Sequence, residues 1–261
     1  MRKTSRFEFE YNYTKFYAEY IKKIQSISNR RKKWVATPLL KSMNKAYISI
    51  MRINQYLFTK QSTHKDDREE LILQAIQDIY RIQKPLFTYW NIEKISFEKQ
   101  VRLCSFLNKE IQLLGNLLRE DKTLTQFVVI DWNAVNKMKF LQKMCELHTF
   151  THSKLIRAID DLENTETSIL AELIDTALYQ LILANKNIPT TKQQYLEREK
   201  RIDTVLQCLD DICIPLCSYF NIMQYTDKTM RKWICLIEEE KRLLLGLKKS
   251  DRKNFSYLIN H

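Results

Sequence analysis

The sequence predicts an all-α protein built as two tandem up-down four-helix bundles, and three observations lead to this fold class. Glycine and proline are scarce, with two Gly and four Pro in 261 residues, whereas β-sheets rely on both residue types for their tight turns. Apolar residues recur at helical spacing through most of the chain. The first half of the sequence also recurs in the second half at a fixed offset. With 44% hydrophobic residues, each half is expected to bury its own core.

Four helices are predicted in the first half of the chain. The first is marked by apolar and aromatic residues at helical spacing: Phe16, Tyr17, Tyr20, Ile21 and Ile24. The second covers roughly residues 37–60, and the polar segment 61–67 that follows offers N-caps for the third. The third ends near Trp90, and the fourth opens at Ser96 and continues to about residue 120. The same plan recurs in the second half.

The internal repeat is the strongest signal in the sequence. The segment 77–114 aligns without gaps with the segment 207–244, and ten of the aligned pairs are identical. The first members of these pairs are Gln77, Ile82, Pro85, Leu86, Tyr89, Asn91, Ile92, Glu110, Leu113 and Leu114. The predicted domains are therefore residues 1–125 and 126–261. Pro85 and Pro215 fall inside the two third helices, where proline removes a backbone hydrogen bond, so a kink is predicted in each.

The chain is strongly basic, with a formal net charge of +12. Residues 1–125 hold 24 Lys and Arg against 13 Asp and Glu, a net +11, whereas residues 126–261 hold 19 against 18, a net +1. A basic protein favours polyanionic partners, with nucleic acid first. The first domain is therefore predicted to bind nucleic acid, and the near-neutral second domain to make partner or oligomer contacts.

No signal peptide and no apolar run of about 18 residues is recognised in the sequence. The six cysteines mostly lie among apolar residues, which is typical of reduced thiols. Cys213 and Cys217 are interpreted as core residues. A cytoplasmic protein without a membrane partner is expected.

Motifs for catalysis are not recognised, so no enzyme, no catalytic residue and no cofactor is predicted. Cys145, His148 and His152 are spaced i, i+3 and i+7, which would place them on one face of a continuous helix as metal ligands. The favoured interpretation is instead a helix end near Thr149 with a buried thiol, and no metal is predicted.

Basic clusters supply the candidate nucleic-acid-binding residues. Residues 29–34 place four cations beside an indole between the first two helices, a combination suited to phosphate contact and base stacking. The alternative is a solvated loop with a packed tryptophan. Further cations occur on the predicted fourth helices. The candidates are Arg30, Arg31, Lys32, Lys33, Trp34, Lys99, Arg102, Arg119, Arg231, Lys232, Arg242 and Lys248.

Three sets of short sequence motifs in this chain resemble those of one family of four-helix bundles. They are Asn29 to Trp34, Ile53-Asn54 with Ala184-Asn185, and Leu113-Leu114-Gly115 with Leu244-Leu245-Gly246. The family contains the accessory variability determinant of diversity-generating retroelements and the proteins encoded in intervening sequences of 23S rRNA genes. The resemblance implies a basic, non-catalytic bundle that oligomerises and assists a reverse transcriptase. This chain differs in fusing two units, and residues 150–154 replace the basic segment in the second.

The function expected from the sequence is therefore an accessory protein of a reverse transcriptase that binds RNA or DNA, with RNA favoured. It would form a homo-oligomer or a hetero-complex. The alternative is a helical protein–protein interaction module whose basic charge serves only solubility.

Overall fold

The computed structural model describes residues 8–28, 31–53, 64–118, 130–157, 165–186, 188–217 and 226–259. Within these ranges the secondary structure is helical and contains no strand, which confirms the all-α class. The chain divides into two compact units, residues 1–129 (unit 1) and 130–261 (unit 2). The predicted domain boundary at 125/126 lies outside the described residues.

Unit 1 contains five α-helices and one short π-helix within the described ranges. They are α1 (Glu8–Gln25), the π-helix (Lys32–Ala36), α2 (Thr37–Ile53), α3 (His64–Arg81), α4 (Gln83–Ile92) and α5 (Phe97–Leu118). Helices α1 and α3 each pack against both α2 and α5 in a helix-bundle-like arrangement. The core is rich in aromatic side chains. Phe9, Tyr13, Phe16, Phe87 and Trp90 are fully buried.

Unit 2 follows a similar plan. Its helices are α6 (Trp132–Lys137), α7 (Lys139–Arg157), α8 (Thr165–Ala184), α9 (Lys192–Asp211), α10 (Asp227–Asn254) and α11 (Ser256–Ile259), and residues 213–217 are also helical. Helices α7 and α9 each pack against both α8 and α10. The core is mainly aliphatic, and Trp233 is its largest fully buried side chain within the described ranges.

In each unit, the helical stretch around Pro85 or Pro215 is divided into two segments by a single turn residue. In unit 1 the turn residue is Ile82, whose N–H bonds to the Ile79 carbonyl at 3.1 Å, and α4 begins at Gln83, just ahead of Pro85. In unit 2 the same turn occurs at Ile212, just ahead of Pro215. Proline has no N–H to donate and its ring clashes with the carbonyl of the preceding turn, so a continuous helix is disfavoured at both positions.

Helix α8 includes an apolar window, Thr167–Ala184, of mean hydropathy 1.3. By length and composition alone this window is apolar enough to cross a membrane, although it contains Glu172 and Asp175. Half of the window is buried inside unit 2, where α8 packs against α7 and α9. A correction concerns Cys213 and Cys217, which are exposed and not part of the core.

Candidate nucleic-acid interface

The positive charge is concentrated at the start of unit 1. Residues 1–53 hold 13 Lys and Arg against three Asp and Glu, a net +10 out of +12 for the whole chain. Helices α1 and α2, which pack against each other, hold six of these 13 cations: α1 has three lysines and three glutamates, and α2 has three cations and no acidic residue. Since nonspecific affinity for nucleic acid comes from cations that contact phosphates, these two helices form the first candidate surface.

Each of the two helices presents cations on its outer side. In α1 the residues Tyr11, Lys15, Ala18 and Lys22 follow one another at i, i+4, i+7 and i+11, and all are exposed. In α2 the residues Lys41, Lys45, Ile48 and Arg52 have the same spacing. Residues at this spacing lie along one face of a helix. The structure thus places a stripe with two cations on α1 and a stripe with three cations on α2, of which Lys45 also pairs with Asp78 on α3 at 3.5 Å.

A pair of tyrosines lies at the seam between α1 and α2. The rings of Tyr17 and Tyr47 are stacked, with centroids 5.0 Å apart and planes inclined by 25°. The Tyr17 hydroxyl donates a hydrogen bond to Oδ1 of Asn44. Both rings are partly exposed. We call the surface formed by Lys15, Tyr17, Lys22, Lys41, Lys45, Tyr47 and Arg52 the α1–α2 face.

Two of the three acidic residues of α1 pair with cations of α5, and one of them, Glu19, also pairs with Lys23 on α1 itself. Glu19 pairs with Arg102 at 3.2 Å, and Glu8 pairs with Lys109 at 3.5 Å. Both cations lie on α5. Because these carboxylates are used at the α1–α5 edge, they do not neutralise the outer stripe of α1.

The predicted basic segment at residues 29–34 has a different structure from the expected loop. Its described part, from Arg31 onward, is helical and continues into α2 through the π-helix. Trp34 is only 7% exposed, so its ring packs in the core and offers no open face to a base. Arg31 pairs with Glu93 at 3.1 Å, and the Lys33 ammonium lies 4.9 Å from the centre of the Trp34 ring. Arg30 lies outside the described residues.

The remaining predicted cations divide into two groups. Arg102 pairs with Glu19, Lys248 pairs with Asp203 and Glu199, and Lys232 lies 4.9 Å from the centre of the Phe150 ring. Four cations are exposed and form no ion pair within the described ranges: Lys32, Lys99, Arg231 and Arg242. Arg119 lies outside the described residues. The second group is free to contact phosphate.

In the structure, the partner of His148 and His152 is the Asp175 carboxylate and not the Cys145 thiol. His148 and His152 lie on α7, which continues to Arg157, so the expected helix end near Thr149 is wrong. Nε2 of His148 lies 2.9 Å from Oδ1 of Asp175 on α8, and Nε2 of His152 lies 2.7 Å from the same oxygen. Burial, together with the neighbouring His152, lowers the pKa of His148 to about 4, so its ring is neutral at pH 7.

Sequence reasoning missed the α1–α2 face because it searched for a dense run of cations. The available signal was spacing, since Lys41, Lys45 and Arg52 recur at the period of a helix face. No protein-family model, curated protein or solved structure matches the chain.

Proposed function

We propose that this chain is a non-catalytic accessory protein that binds RNA through the α1–α2 face. The observation that carries the proposal is the pair of cation stripes on α1 and α2, within a segment of net charge +10. Lysine and arginine neutralise phosphates, and binding releases the counterions condensed on the nucleic acid. The exposed stripes supply these cations on a folded surface.

The stacked tyrosines favour single-stranded RNA as the ligand. Proteins that bind single strands combine a basic surface with aromatic rings on which bases stack. Tyr17 on α1 and Tyr47 on α2 are partly exposed and stack on each other. We therefore assign base contact to this pair and phosphate contact to the surrounding cations.

The finer architecture is part of the proposal. We propose that each unit is an up-down four-helix bundle and that the chain is a tandem duplication of one bundle. The support is that, in each unit, the first and third long helices each pack against the second and fourth. The sequence repeat that pairs the segment 77–114 with the segment 207–244 supports the duplication.

A reverse transcriptase is the proposed protein partner. This partner is supported by the sequence resemblance to accessory proteins of diversity-generating retroelements. We assign the enzyme contacts to unit 2, because its half of the chain carries little net charge and exposes apolar side chains. Ile188, Leu196, Ile214 and Leu245 are among them.

A protein–protein interaction module without RNA binding is the second candidate, and the same exposed apolar residues favour it. Salt dependence separates the two functions. For a protein that makes 6–10 phosphate contacts, affinity falls by roughly 10³–10⁵ between 50 and 200 mM salt. We expect steep salt dependence when binding of labelled single-stranded RNA is followed by fluorescence anisotropy. Absence of binding at about 50 mM salt would exclude the RNA-binding function and leave the interaction module.

A further inference from the structure

We infer that His148, His152 and Asp175 form a binding site for a divalent transition-metal ion, zinc first, inside unit 2. This site is independent of RNA binding and replaces the expectation from sequence that no metal is bound. It also differs from the cluster considered at the sequence level, because the third ligand is Asp175 on a neighbouring helix and not Cys145.

The geometry brings three donor atoms to one point. His148 and His152 are one helical turn apart on α7, so their rings lie on the same helix face, with centroids 4.6 Å apart. Asp175 reaches them from α8, and the three donor atoms all lie within 4.8 Å of one another. Ligands about 2.0–2.1 Å from a tetrahedral zinc ion are roughly 3.3 Å from each other. Small side-chain movements therefore suffice to admit an ion.

The donor set matches the chemistry of zinc. Two imidazole nitrogens and one carboxylate oxygen are the protein ligands of many zinc sites in which the fourth position is left to water. Helical bundles commonly build metal sites in this way, from side chains on facing helices. The Cys145 thiol is not part of the convergent group.

The surroundings of the cluster support a ligand. His148 and His152 are 0% and 1% exposed, and burial of polar groups is costly unless they are fully satisfied. Nδ1 of His152 has no hydrogen-bond partner within the described ranges. This nitrogen is not the one that faces Asp175, and it would carry the ring proton if Nε2 bound a metal ion. The Asp175 side chain is 14% exposed, which gives an ion a route from solvent.

The first unit shows what this position looks like without the cluster. When the repeat is aligned with a one-residue shift, Tyr17 and Asn44 correspond to His148 and Asp175. The Tyr17 hydroxyl bonds to Asn44, so both units join their first two long helices through one polar pair at this point. His152 corresponds to Ile21, which cannot bind a metal. The proposed site therefore belongs to unit 2 alone.

The test is zinc titration of the full chain after removal of metals with a chelator. Isothermal calorimetry should show one zinc ion per chain, and zinc should raise the midpoint of thermal unfolding. Asp175→Asn and His152→Gln nearly preserve side-chain shape, and each should weaken zinc binding at least about tenfold. Two control variants, Cys145→Ser and Glu172→Gln on the exposed side of α8, should bind zinc as the unchanged chain does.

Cobalt substitution distinguishes the two possible third ligands. Cobalt bound by nitrogen and oxygen donors gives visible absorption without a thiolate-to-metal charge-transfer band, whereas coordination by Cys145 would produce that band. A thiolate band, failure of the chain to bind zinc, or zinc binding unchanged in the Asp175→Asn variant would each overturn the proposal. Circular dichroism of the metal-free variants provides the folding control. If His152→Gln does not fold, Asp175→Asn decides the test.

Discussion

Asn12 donates a hydrogen bond of 2.8 Å from Nδ2 to Oε2 of Glu110 in the buried interior of unit 1. Burial raises the pKa of Glu110 to about 8, although the Asn12 hydrogen bond and Lys109 act in the opposite direction. In unit 2, burial and the neighbouring Glu239 raise the pKa of Glu240 to about 9. Glu110 and Glu240 are equivalent in the repeat, so both copies hold a protonated carboxyl group in the core at neutral pH.

Because of these two buried glutamates, we expect the free energy of unfolding to fall as pH rises. Below about pH 4.5 both the folded and the unfolded states are protonated, and the groups have no differential effect. Between that pH and about 8–9, only the unfolded state releases the protons, so the free energy of unfolding decreases. Glu110→Gln and Glu240→Gln should each remove part of this decrease, by about 2–4 kcal/mol at pH 8.

Urea denaturation at pH 5 and pH 8 measures this effect. Glu98→Gln and Glu238→Gln are matched controls, because both carboxylates are exposed on the helices that carry Glu110 and Glu240. They should leave the pH dependence unchanged. Equal pH dependence in the core variants and the original chain would show that the buried carboxyl groups are not protonated.

Asp78 is predicted to stabilise unit 1 as a buried carboxylate. Burial alone would raise its pKa, but hydrogen bonds from Ser49, Gln74 and Arg81 outweigh burial and hold the pKa below its ordinary value. Its stabilising effect is therefore present above about pH 4 and is lost as pH falls through the lowered pKa. Arg81 and Lys45 are more than half exposed and return to water when the carboxylate is removed.

Asp78→Ala should accordingly cost about 1–3 kcal/mol at pH 7, mainly because the Ser49 hydroxyl loses its acceptor at 2.7 Å. The free energy of unfolding in urea is the measurement. Glu70→Ala, an exposed position on the same helix, should change it by less than about 0.5 kcal/mol. Equal effects at the two positions would refute the role assigned to Asp78.

Arg198 joins three helices of unit 2. Its Nε donates to Oδ2 of Asp251 on α10 at 2.7 Å, and its Nη1 donates to the Ala184 carbonyl at the end of α8 and to Oδ1 of Asn185. Lysine keeps the charge but cannot reproduce this planar fork of donors. Arg198→Lys should therefore lower the free energy of unfolding by about 1.5–3 kcal/mol. Arg231→Lys, at an exposed position, should have no measurable effect, and a similar loss there would contradict the assignment.

We expect substitutions of Trp34 and Tyr47 to have different effects on RNA affinity. Trp34→Leu should leave affinity unchanged within about twofold, because a ring packed in the core cannot stack on a base. Tyr47→Leu should cost about 1–3 kcal/mol of binding free energy, since base stacking contributes that much per base. Fluorescence anisotropy with single-stranded RNA measures both. Loss of affinity in the Trp34 variant alone, with its fold intact, would restore the stacking role predicted from sequence.

The all-α class could be predicted because helix formation depends on the composition and apolar periodicity of short segments of sequence. Two glycines in 261 residues leave few places for tight turns, and the interruptions ahead of Pro85 and Pro215 follow from proline itself. Burial of Trp34 was not predictable in the same way. The cations beside it suggest a surface, and only the packing of the π-helix against α1, α2 and α4 shows that the indole is inside.

The cluster of His148, His152 and Asp175 could not be predicted from the sequence for a similar reason. His148 and His152 are visible as an i, i+4 pair, but their partner Asp175 is 23 residues beyond His152 and on another helix. Nothing in local sequence distinguishes Asp175 from an ordinary surface carboxylate. Only the contact between α7 and α8 makes it the third member of the cluster.

The most direct test of RNA binding by the α1–α2 face compares two triple variants of equal charge. One carries Lys15→Gln, Lys41→Gln and Arg52→Gln on this face, and the other carries Lys139→Gln, Lys200→Gln and Lys249→Gln at exposed positions of unit 2. The first should bind single-stranded RNA at least about tenfold more weakly, and its salt slope should fall by roughly 2, as expected for three lost phosphate contacts. The second should change affinity by less than about twofold. Equal losses in the two variants would mean that RNA responds to net charge alone and would contradict a binding site on α1 and α2.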